Sequence, residues 1–326
     1  MAHKTLASYP VQTLPPRLAR WAGGACGVPY VHERCAPLGV KAGPEILVTA
    51  LVHGNEYSGA IALAELLASD WLPTWGRLTG AFCNVAAFDR FDANEPDASR
   101  YIDEDFNRVW DVEVLDSLRQ SAELDRARQL RPFVDRASHL LDLHSMHEPA
   151  APLLVTGTLP RNIAFAQSLR TASQVVVDSG HADGVRMRDY GEFADADGGR
   201  IALLLEAGQH WELGAVSVAR NTLMRFLMAA GACDRADAPS GWLLPDAAPP
   251  LPVEVTHRVV ARSMDFEFVQ PFTGGETLAH AGTVIASDGG QDIVTPYDGC
   301  TLVMPSLRQL RPGVTTVRLG RRVAAA

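Results

Sequence analysis

Lysine is almost missing from this 326-residue chain: Lys4 and Lys41 are the only two, so 27 of the 29 basic residues are arginine. A Schiff-base lysine or a carrier lysine therefore has almost no candidates, and no G-x-x-x-x-G-K-[ST] loop is present to cradle a nucleotide phosphate. Paired cysteine spacing is missing as well. Cys26, Cys35, Cys83, Cys233 and Cys300 are dispersed and odd in number, with no C-x-x-C. This excludes a zinc knuckle and fits a reducing compartment. Basic excess is lacking too. The net charge of −9 argues against nucleic-acid binding, which needs clustered cations to release counterions. No apolar run reaches the roughly 18 residues of a membrane span, and Met1 to Pro10 has no charged start followed by an apolar stretch. The expectation is a soluble, cytoplasmic protein without a nucleic-acid or membrane partner; a homo-oligomer stays open.

What is present is an ordinary globular balance, 47% hydrophobic and 21% charged, enough to bury a sizeable core. The first 40 residues are rich in Pro and Gly and read as loop, with at most one short helix or strand. Buried strands are predicted at 45–51, 138–144, 152–156, 174–178 and 201–206, each a short apolar run. An apolar run over 78–88 is followed by a polar loop to Asn107. Helices are predicted at 58–68 behind a Ser58 cap, and at 112–136, 161–171 and 213–230. Strands alternating with helices imply an α/β fold with a mostly parallel sheet. A proline-rich linker follows at 235–252. Beyond it, turn signals such as Asp288-Gly289-Gly290 mark short strands. The expected domains are 1–234, catalytic, and 253–326, a small all-β barrel or sandwich.

His53, His144 and Glu206 each fall at or just past the end of a predicted strand, where α/β sheets bind ligands. His53 and Glu56 can face one centre from a loop or first helical turn, and His144 can supply a third ligand. Two imidazoles and a carboxylate form a familiar catalytic zinc set that leaves a position for water. The H-x-x-E pair alone fits a solvated loop equally well. Asp142 lies two residues before His144 on the same strand face. It is expected to fix the tautomer of a zinc-bound imidazole, with His53 as the first choice. Glu206 follows five apolar residues, either at the sheet rim or as a base whose pKa is raised by its half-apolar setting.

The blocks His53-Gly54-Asn55-Glu56, Arg100-Tyr101-Ile102-Asp103-Glu104-Asp105-Phe106-Asn107-Arg108, Asp142-Leu143-His144 and Leu205-Glu206-Ala207-Gly208 resemble, in order, the succinylglutamate desuccinylase/aspartoacylase family. This is a branch of the zinc carboxypeptidase superfamily. The resemblance covers most of 45–210 and implies a carboxypeptidase-like mixed sheet flanked by helices, followed by a small all-β domain. It also implies one Zn2+ per chain on His53, Glu56 and His144, with Glu206 as general base. Arg100 matches the arginine that polarises the scissile carbonyl, and Asn107 and Arg108 match the pair that grips the substrate's α-carboxylate. Asp103 and Asp105 allow another reading, a salt-bridge cluster around those arginines. A further arginine that reads the substrate side chain could be Arg186, Arg188 or Arg200. The acidic run Glu192, Asp195 and Asp197 fits either a cationic side chain or a solvated loop. His147 reads as a surface or supporting residue. The C-terminal turns also resemble lipoyl-type hairpins, but no lysine follows Lys41 to carry the group. That domain is expected to roof the site, with Tyr297 touching a substrate carboxylate. The implied activity is removal of an acetyl- or succinyl-type acyl group from a small N-acyl amino acid. The alternatives are a zinc carboxypeptidase acting on peptides and a non-catalytic binding module.

Overall fold

The computed structural model describes residues 9–24, 26–39, 42–180 and 183–323; both lysines lie outside these ranges. The N-terminal part holds β1 (Val31–Cys35), β2 (Glu45–Ala50), α1 (Ser58–Ala68), β3 (Arg77–Phe82) and α2 (Val85–Phe88). Next come α3 (Val112–Asp116), α4 (Ala122–Arg136), β4 (His139–Met146), β5 (Leu153–Val155), α5 (Pro160–Leu169) and β6 (Gln174–Val177). β7 (Ile201–Gln209) and α6 (Leu213–Ala229) complete this half. The C-terminal part, among the described residues, holds strands only: β8 (Pro252–Val260), β9 (Glu267–Phe268), β10 (Thr277–Leu278), β11 (Val284–Asp288), β12 (Gln291–Val294), β13 (Cys300–Val303) and β14 (Thr315–Arg322).

One sheet of 11 strands runs in the order β1-β3-β2-β4-β7-β5-β6-β8-β14-β13-β10. β3, β2, β4 and β7 are parallel neighbours, and β5 enters antiparallel to β7. A separate three-stranded sheet, β12-β11-β9, lies in the C-terminal part. The fold is therefore a large, mostly parallel mixed sheet with helices, extended by antiparallel C-terminal strands.

Alternation along β4 and β7 divides the core between two faces. Leu141, Leu143, Leu203 and Leu205 pack under α1 and α6. Leu140 and Ala202 face the opposite way, with α4 residues Leu124, Leu130 and Phe133. His144 and Glu206 occupy that second face and are register partners. The predicted 112–136 helix is two helices. Ser117 stops the first in extended backbone, and the Ser121 hydroxyl caps the second by accepting from Leu124 N. Ser58 opens α1 but does not cap it; Tyr57 holds that position without a side-chain bond. The proline-rich 235–252 stretch lies against the protein. Trp242 and Leu243 pack on the main core, and Asp246 pairs with the buried Arg225 at 2.7 Å.

Candidate metal and catalytic site

The chain leaves β2 through Leu51, a non-glycine residue with φ of +59°. Such backbone is strained, and it turns the chain so that 53–56 fold over the strand end. Gly54 lies so close to its neighbours that a Cβ there would meet Ser99 O at 2.3 Å and Phe88 N at 2.5 Å. Its amide donates to Arg100 O at 2.9 Å, which ties the 53–56 turn to the 100–108 loop.

His53, Glu56 and His144 are all buried, and their ligand atoms lie within 4.8 Å of one another. His53 Nδ1 sits 2.8 Å from Glu56 Oε1, and His144 Nδ1 sits 2.9 Å from Glu56 Oε2. Both rings thus turn the same nitrogen to one carboxylate. Each outer nitrogen meets a different acid: His53 Nε2 meets Asp105 Oδ1 at 3.0 Å, and His144 Nε2 meets Asp142 Oδ2 at 2.7 Å. This is the arrangement that fixes tautomers around a divalent ion. Two imidazoles and a carboxylate, each ring already held from behind, fit a catalytic zinc set. Asp142 therefore supports His144, not His53, because the i, i+2 spacing on β4 sets the two side by side. Asp105 takes the role toward His53. Asp142 is held in turn by Thr49 Oγ1 at 2.7 Å.

Against burial, His53 and His144 hold Glu56 well below the usual carboxylate range. His53, Arg100 and Arg108 do the same for Asp105. Glu206 goes the other way. Burial first, and then the Glu56 charge, push its carboxyl up to about 8. Its Oε2 is buried without a hydrogen-bond partner. An acid that can hold a proton near neutrality thus faces the histidine cluster with one oxygen unengaged.

Arg100 donates to Glu56 Oε1 at 2.8 Å and lies 3.0 Å from His53 Nε2. Arg108 donates to Asn107 O at 2.7 Å and reaches Asp105 at 3.8 Å. Asn107 is only 2% exposed and its amide is engaged inward. Nδ2 lies 3.3 Å from both Asp142 Oδ2 and His144 Nε2, and Oδ1 accepts from Met187 N at 2.9 Å. It braces the site more than it offers a free carboxylate grip.

A cavity of about 620 Å³ opens above these groups. Of the three arginines left open by the sequence, Arg186 lines it. Arg188 is buried against Asp189, and Arg200 pairs with Glu192 at 2.8 Å, so neither borders the cavity. Arg186 and Arg318, the latter from β14, share Asp178 at 3.5 and 3.3 Å. Glu192, Asp195 and Asp197 are exposed and away from the cavity. His147 borders it, 3.4 Å from Asp97. Residues of the 304–315 segment, which joins β13 to β14, supply one wall, so the C-terminal part does border the site. Tyr297 does not reach it. Its hydroxyl bonds Thr256 Oγ1, and Arg321 stacks on its ring at 4.4 Å.

Several contributors carry little or no sequence signal. Glu123, fully buried, accepts from the amides of Ile102 at 2.6 Å, Asp103 at 3.1 Å and Glu104 at 3.3 Å. It also accepts from Asn84 Nδ2 at 2.8 Å. Its signal is faint, an acid in the first turn of a helix. Buried His210, 2.8 Å from Ser145 Oγ, gives none.

Known proteins share this architecture. A succinylglutamate desuccinylase/aspartoacylase from Rhodobacter sphaeroides aligns with a TM-score of 0.64 at 20% identity, covering 87% of each chain. A succinylglutamate desuccinylase from Vibrio cholerae gives 0.64 at 18% identity, over 90% of this chain and 86% of that one. A curated protein from Parasynechococcus marenigrum named "Probable aspartoacylase" is 32% identical over 138 residues, and the match spans 39% of this chain and 43% of that protein's length. Residues 42–230 match the family described as the succinylglutamate desuccinylase/aspartoacylase catalytic domain, and the chain belongs to that family.

Proposed function

We propose that this chain is a zinc-dependent amidohydrolase that removes an acyl group from a small N-acyl amino acid. The observation that carries this reading is the pair of Nδ1 atoms facing the two oxygens of buried Glu56, with Glu206 across the β4–β7 register from His144. When bound by His53, Glu56 and His144, one zinc ion supplies Lewis acidity and lowers the pKa of water. Glu206, its carboxyl displaced toward neutrality, accepts the proton of the attacking water and later returns it to the leaving amine. Arg100 donates to the oxygen on which negative charge develops. Arg108 holds the α-carboxylate, because a desolvated guanidinium prefers a paired anion, and Asn107 keeps Asp142 and His144 in place behind it. Arg186 and Arg318 both border the cavity and converge on Asp178, which suits a second carboxylate on the substrate. The roof of 304–315 favours small substrates over peptides. No helix among the described residues is long and apolar enough to cross a membrane. The five thiols are unpaired, which suits a cytoplasmic setting.

The test is turnover of a panel of N-acyl amino acids by zinc-loaded and chelated protein. Hydrolysis that stops with the chelator and returns with zinc is expected. Undiminished turnover after complete zinc removal overturns the reading.

A further inference from the structure

We propose that His210 and His147 are positioning residues for the metal site, carrying the grip of the C-terminal cavity wall through Ser145 to Glu56. The inference concerns the same site and rests on the amidohydrolase reading, but it can be read without turnover.

The link starts from an irregularity in the sheet. Between the register pairs His144–Glu206 and Met146–Gln209, β7 carries one residue more than β4, a bulge that bends the strand. Gly208 lies in it at φ of +121°, backbone that glycine adopts at little cost. Past the bulge the His210 amide donates to Met146 O at 3.0 Å. Its ring is fully buried and stands edge-on to the His147 ring, with centroids 4.7 Å apart.

From the cavity wall inward, Gln309 Nε2 lies 3.4 Å from His147 Nε2, and His147 Nδ1 lies 3.2 Å from His210 Nε2. His210 Nδ1 then lies 2.8 Å from Ser145 Oγ. The Ser145 amide donates to Glu56 Oε2 at 3.2 Å, the one backbone amide that does so among the described residues.

The proton positions follow from the outer end. Asp97 Oδ1 stands 3.4 Å from His147 Nδ1. Against burial, His147 and Arg308 hold this acid below the usual carboxylate range. An ionised carboxylate only accepts, so His147 carries its proton on Nδ1, and Nε2 accepts from the Gln309 amide. His210 Nε2 must then accept as well. Burial keeps His210 uncharged, well below the ordinary histidine pKa. Its single proton therefore sits on Nδ1 and is donated to Ser145. The other tautomer of His210 would set two N–H groups face to face.

The outer end is also held by the wall. Arg308, next to Gln309, pairs with Asp97 at 3.7 Å and with Glu148 at 3.4 Å. At the inner end, Trp211 Nε1 donates to Asn55 O at 3.1 Å, so the exit of β7 grips the metal-binding turn twice. Neither histidine belongs to the four blocks that carry the family resemblance. If these rings only filled space, any ring of that size would serve. A relay needs the nitrogens.

The experiment measures zinc affinity by competition with a chelator, for the full chain and for His210→Phe, His210→Asn and His147→Phe. Losing a group that orients a metal ligand costs roughly 10- to 100-fold in metal affinity. His210→Phe keeps a ring and loses both nitrogens, and about tenfold weaker binding is expected, the low end of that range. His210→Asn can still donate to Ser145 Oγ and should recover part of the loss. His147→Phe, one step further out, should cost less. Wild-type affinity in His210→Phe overturns the proposal and leaves the metal site as described. Long-range 1H–15N spectra of the zinc-loaded wild type at pH 8 decide the matter if a variant does not fold. Protons on Nδ1 of both rings are expected, and a proton on Nε2 of His210 overturns the relay. A chain that passes both tests yet hydrolyses no N-acyl amino acid fails the amidohydrolase reading, not this one.

Discussion

At the scale of single residues, the site separates its acids by what surrounds them. Glu56 and Asp105 are buried among histidines and arginines and stay ionised. Glu206 is buried beside another carboxylate and is pushed up to about 8 from 4.5. Without metal, the folded chain keeps a proton on Glu206 that the unfolded chain releases. Between about pH 4.5 and 8 the folded state therefore binds more protons at this position, and its contribution to stability falls as pH rises, levelling off above 8. Glu206→Gln carries no such group. In chelator, its melting temperature should exceed that of the wild type by a margin that widens from pH 5 to pH 8. The same variant should bind zinc yet lose roughly 10²- to 10⁴-fold in kcat, the usual worth of a general base. Thermal melts at pH 5, 7 and 9 check the first half, and parallel curves for the two proteins would disprove the raised pKa.

At the scale of elements, the 100–108 loop owes its shape to α4. Glu123 accepts three consecutive loop amides and the Asn84 side chain. Glu123→Ala leaves four donors short of an acceptor, at a cost of about 2–3 kcal/mol. It should also lower kcat/KM by freeing Arg100, and urea unfolding beside initial-rate measurements reads both. If stability falls while kcat/KM holds, the loop does not position Arg100. Glu123 also marks the limit of what is legible in the chain. His53, Glu56, Asp142, His144 and Glu206 can be read because short spacings and strand ends put them in one place. Which ring Asp142 serves cannot, since alternation gives the face of β4 but not the approach of the distant turn that carries His53. Glu123 looks like any acid in a helix's first turn until its partners are seen. Tyr297 sits between β12 and β13, and its contacts with Thr256 on β8 and Arg321 on β14 have no local signature, so its distance from the cavity is invisible there.

At the scale of the whole molecule, the C-terminal strands do more than cover the cavity. β8 adds to β6 in parallel register, Val176 opposite Val253, and continues the main sheet into β14 and β13. Val253 and Val303 are buried in one cluster with Met146, Val155, Val176 and Leu204. Met146 and Leu204 lie two residues from His144 and Glu206 on the same strand faces, so this cluster also forms ground beneath the site. A chain ending at residue 252 would uncover it and leave the β6 backbone as an open edge. Exposed apolar area costs about 25 cal/mol per Å², and an unpaired edge strand invites association. The expected outcome is a fragment that aggregates and binds no zinc, measured by size-exclusion chromatography and metal analysis of the soluble fraction. A monomeric, zinc-binding 1–252 fragment with a cooperative melt would mean that the parallel β6–β8 pairing and its valines contribute little, and that the β strands serve the substrate alone.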